Sequence, residues 1–106
     1  MLPWRKEATR KSSHPVLSLL NDDGRVLFQG PLSGYPLPES VILACSEEFF
    51  NDPAPCEIHR RAVQLRLYAE MQELLPANQT LSMDDVHPRI SLYCQETHAA
   101  FIRLDT

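Results

Sequence analysis

Proline punctuates this chain more strongly than any other signal, and it limits where each helix or strand can begin and end. Nine prolines are spread over 106 residues. Each removes an amide donor and fixes φ, so each favours a helix start, a turn or an extended connector. Pro31, Pro36 and Pro38, with Gly34 among them, mark residues 30–38 as an extended connector. Pro38 is placed to open a helix, Pro53 to open a second one after Asn51-Asp52, and Pro76 to end it.

The apolar residues between the prolines set the element types. Val16-Leu17-Ser18-Leu19-Leu20 and Arg25-Val26-Leu27-Phe28-Gln29 flank Asn21-Asp22-Asp23-Gly24. Two β-prone runs around an Asn/Asp/Gly turn predict a β-hairpin, with Gly24 taking the positive φ that a turn with a bulge requires. Val41, Ile42, Cys45 and Phe49 recur at three- and four-residue spacing, which predicts a helix over 38–50. A second helix is expected over 53–75. Its apolar residues form two stripes: Ile58, Ala62, Leu65 and Ala69 on one side, Cys56, Val63, Leu67, Met71 and Leu74 roughly opposite. A surface helix needs one such stripe, so two imply that this helix is sandwiched, by the first helix or by a second molecule.

Residues 77–88 read as a polar connector with a short turn at Ser82-Met83-Asp84-Asp85. Ile90-Ser91-Leu92-Tyr93-Cys94 and Ala99-Ala100-Phe101-Ile102-Arg103-Leu104 read as a second hairpin closed by Gln95-Glu96-Thr97-His98. The expected fold is therefore α+β in the order ββααββ, a four-stranded mainly antiparallel sheet with two helices packed on one face. Residues 15–106 form its single domain, and residues 1–14 a basic flexible tail.

Charge narrows the function classes. Arg5, Lys6, Arg10 and Lys11 lie in the tail, while residues 15–106 hold six arginines against thirteen acidic residues. That acidic body repels phosphate backbones and disfavours nucleic acid as a partner. Residues 15–106 contain no lysine, so neither a Schiff-base lysine nor a P-loop lysine can lie within the fold. Gly24, Gly30 and Gly34 stand apart and form no phosphate-binding loop or nucleophile elbow. No apolar run approaches the roughly 20 residues of a membrane span, and no secretory leader is read, so a cytoplasmic location is expected.

Three constellations remain. Cys56-x-x-His59 and Cys94-x-x-x-His98 supply two thiols and two imidazoles, the ligand types of a tetrahedral zinc site. The plainer reading makes Cys56 and Cys94 small core hydrophobes with His59 and His98 at the surface. Cys56 near a helix start, with His59 one turn on, also has the makings of a reactive thiol and base, though no orienting third residue is evident. Asp22/Asp23 and Asp84/Asp85 are paired carboxylates better explained by turns. His59-Arg60-Arg61 with Arg66 is a local basic patch expected to pair with Glu57, Glu70 and Glu73.

With no nucleophile, base and orienter to assemble, an enzyme is not the favoured reading. The expected function is non-catalytic association with itself or another protein. The candidate anchors are Val63, Leu67, Tyr68, Met71, Leu74 and Leu75 on the second helix. No cofactor is implied by this reading. The alternative is a small zinc-binding or thiol-dependent protein using Cys56, His59, Cys94 and His98.

Overall fold

The computed structural model describes residues 14–106; the basic segment at residues 1–14, His14 excepted, lies outside the described residues. The elements are β1 (Val16–Leu20), β2 (Val26–Pro31), α1 (Glu39–Phe50), α2 (Glu57–Leu74), β3 (Thr80–Ser82), α3 (Pro88–Cys94) and β4 (Phe101–Asp105). The four strands form one antiparallel sheet in the order β2-β1-β4-β3, and the fold is α+β.

The first hairpin follows from its turn chemistry. The Asn21 side-chain oxygen accepts from the Asp23 and Arg25 amides at 2.9 and 2.8 Å. Gly24 takes a φ of 82°, open to glycine without strain. A bulge at Leu19/Leu20 shifts the register so that Leu19 faces Phe28 and Leu20 faces Val26. One face of the sheet carries Leu17, Leu19, Ile102 and Leu104, all buried, and the helices pack on it. The other face is polar at its centre, where Gln29 donates to the Ser18 hydroxyl at 3.2 Å. The proline-rich connector covers the core as a loop: Leu32, Tyr35 and Leu37 are buried in it.

Two segments differ from expectation. Residues 90–94 are not a strand but the body of α3. Pro88 opens that helix, and the ring Nδ1 of His87 accepts from the Arg89 amide at 3.1 Å. Ile90, Tyr93 and Cys94 turn inward at helical spacing while Leu92 stays exposed. Alternation of Ile90, Leu92 and Cys94 suits a strand equally well, but burying the Tyr93 ring requires the helical period. β4 therefore pairs with Thr80–Ser82, inside the segment read as a polar connector. The turn there is present, with the Ser82 hydroxyl accepting from the Asp84 amide at 3.2 Å.

The second helix is the other correction. It begins at Glu57 rather than near Pro53, because Pro55 disfavours helical backbone at Ala54. Its inward stripe is Val63, Leu67 and Met71, each at most 1% exposed, with Tyr68 and Leu75 also buried and Leu74 packed against the core. Of the six side chains read as partner anchors, five are thus enclosed by their own chain and Leu74 is half-buried. Among the described residues the face left uncovered is the opposite one: Ile58 is 77% and Leu65 51% exposed, with Ala69 exposed and Ala62 half-buried.

Candidate metal and thiol centre

The loop joining α1 to α2 is short, proline-bound and held from below. α1 ends at Phe50, and Asn51 turns the chain in the left-handed region at φ 55°, its amide donating to the Glu47 carbonyl at 2.8 Å. Ser46, fully buried on α1, donates its hydroxyl to the Asp52 carbonyl at 2.7 Å. Asp52 is thereby pinned to the end of α1.

From that position Asp52 reaches the first turn of α2. His59 Nδ1 lies 2.9 Å from Asp52 Oδ2, a hydrogen bond in which the ring nitrogen donates to the carboxylate. The Phe50 ring stacks on the imidazole, with centroids 4.3 Å apart and planes 8° from parallel. Two contacts on different groups therefore fix the His59 ring. Cys56, the N-cap of α2, is exposed beside it. One ligand atom from each of Asp52, Cys56 and His59 lies within 4.8 Å of the other two. The hydrogen bond to His59, aided by the Ala54 and Cys56 amides, holds the Asp52 carboxyl below the usual carboxylate range against the opposing effect of burial.

This arrangement both keeps and revises the four-ligand expectation. Cys56 and His59 come together as expected. Cys94 does not join them: it is buried at the end of α3, and burial pushes its thiol up to about 11. His98 is exposed, in the left-handed region at φ 56° after α3. Asp52 takes their place. It read only as a helix cap in the sequence, seven residues before His59 and across two prolines, and nothing local signals that its carboxylate meets the imidazole. Asp22/Asp23 and Asp84/Asp85 are exposed turn residues. Among the described residues, Asp52, Cys56 and His59 are the one group of three or more potential ligands brought together.

Arg60 and Arg66 of α2 make their contacts with another element rather than along the helix. Arg60 makes a two-pronged ion pair with Glu39 of α1, at 2.8 and 2.7 Å. Glu70 accepts from Arg89 of α3 at 2.8 Å and from the Tyr93 hydroxyl. The Arg66 guanidinium lies 3.9 Å over the Phe49 ring. These contacts tie α2 to both other helices. No helix among the described residues is long and apolar enough to cross a membrane. Comparison with protein-family models, curated proteins and solved structures finds no match for this chain.

Proposed function

We propose that this protein acts without catalysis, by associating with a second copy of itself through the outer stripe of α2. The observation that carries this reading is the exposure of Ile58 and Leu65 on one helical stripe, bordered by exposed Arg61. Burying a Leu or Ile side chain fully is worth ~1.5–3 kcal/mol, so a pair of such faces has a clear gain from closing on each other. The stripe alternates large and small: Ile58, Ala62, Leu65, Ala69. Laid against its own copy in antiparallel sense, about a two-fold axis between Ala62 and Leu65, it sets Ile58 opposite Ala69 and Leu65 opposite Ala62. Each large side chain then meets a small one on both molecules, the complementarity a two-fold interface needs. The acidic body argues against nucleic acid as the partner.

Methyl NMR of the full chain over a concentration series tests the surface. The Ile58 and Leu65 methyl resonances should shift together as concentration rises, with those of Val26 and Leu27 on the sheet edge unmoved. Shifts at Val26 and Leu27 alone, or none anywhere, would overturn the reading.

A further inference from the structure

We propose that Asp52, Cys56 and His59 form a binding site for one zinc-class divalent ion, independent of the association surface. The donor set is the argument. A thiolate, an imidazole and a carboxylate are the three ligand types zinc takes, and three protein ligands leave a fourth position for water or another donor. The atoms lie within 4.8 Å of one another, close enough to surround one ion after small side-chain adjustment. The site is also pre-shaped. Ser46 anchors Asp52 from the buried side and Phe50 stacks on the His59 ring, while Cys56 stands beside them as the N-cap residue of α2. Groups held this way lose little freedom on binding.

Charge is consistent with the occupant. A Cys56 thiolate and the Asp52 carboxylate together bring two negative charges, which balance a divalent cation. Formation of the site releases the Cys56 thiol proton to solvent, and His59 binds as neutral imidazole, its one ring proton moving to Nε2 when Nδ1 exchanges its hydrogen bond to Asp52 for the ion. The exposure of Cys56 leaves a path for the ion to enter.

The experiment is titration of the reduced full-length chain with zinc, measured by competition with a chromophoric chelator, and with cobalt as a spectroscopic probe. One ion per chain and a thiolate-to-cobalt charge-transfer absorption are expected. Cys56→Ser should abolish that absorption, and Asp52→Asn should weaken zinc binding by about tenfold or more, a loss that even an outer-shell partner can cause. His98→Gln should leave both signals unchanged. Cys56 and His98 are exposed, so neither variant threatens the fold. Absence of stoichiometric binding, an absorption that survives in Cys56→Ser, or one lost in His98→Gln would each overturn the proposal.

Discussion

The hydroxyl of Tyr35 donates to the backbone carbonyl of Tyr93 at 2.8 Å, across 58 residues of sequence. It joins the proline-rich connector to α3, and Tyr68 of α2 completes the tie by donating to the Tyr35 carbonyl at 2.6 Å. Both tyrosines are buried, and burial is the main reason their hydroxyls are held above the ordinary tyrosine range. Removing one partner of a buried hydrogen bond costs about 1–3 kcal/mol. Tyr35→Phe should therefore destabilise the protein by that amount in urea unfolding, with little change in m, because the ring still fills its space.

Glu70 gives the pH dependence its sign. Burial alone would raise its carboxyl, but hydrogen bonds from Tyr93 and Arg89 outweigh that and hold it below the ordinary glutamate range. A folded-state value below the unfolded one means the stabilisation is complete above the unfolded value and is lost as pH falls through the folded one. Glu70→Gln should cost about 1–2 kcal/mol near neutral pH, discounted for partial exposure, and progressively less below about pH 4. Thermal melts of both proteins from pH 7 to 3 check this, the two curves converging at the acid end.

The two sides of α2 should respond oppositely to truncation. Met71 is fully buried, so Met71→Ala leaves a cavity and should cost about 2–5 kcal/mol. Leu65 faces outward, so Leu65→Ala should stay within about 0.5 kcal/mol when measured at dilution. Chemical denaturation of the two variants side by side reads the difference.

The three thiols should separate by rate. Cys56 is exposed, while Cys45 and Cys94 are buried, and burial raises both of the latter. A thiol reagent at neutral pH should label one cysteine per chain promptly, mapped to Cys56 by peptide mass. The other two should react only as the protein opens.

What the sequence made legible follows the range of the forces involved. The hairpin was readable because Asn21 and Gly24 determine it within five residues. Burial of Tyr35 and Leu37 was readable because large apolar groups in a connector have few other places to go. The segment from Ile90 to Cys94 fits both periods, and only the volume of the Tyr93 ring, measured against the core, selects the helix. β3 is three residues long with one apolar side chain, too little pattern to register as a strand. Two stripes on α2 were visible, but which faced inward depended on where the sheet lay. The pairing of Asp52 with His59 depends on the path of a proline loop and on Ser46 beneath it, which no spacing rule encodes.

The central claim is that Ile58, Ala62, Leu65 and Ala69 form a surface for self-association. Sedimentation equilibrium of the full chain beside its Leu65→Glu variant tests it most directly, with matched circular dichroism to show that both are folded. The account predicts a mass rising with concentration toward twice 12.1 kDa for the parent chain, and the single-chain mass throughout for the variant. A parent chain that stays at the single-chain mass, or a variant that assembles as readily as the parent, would contradict it.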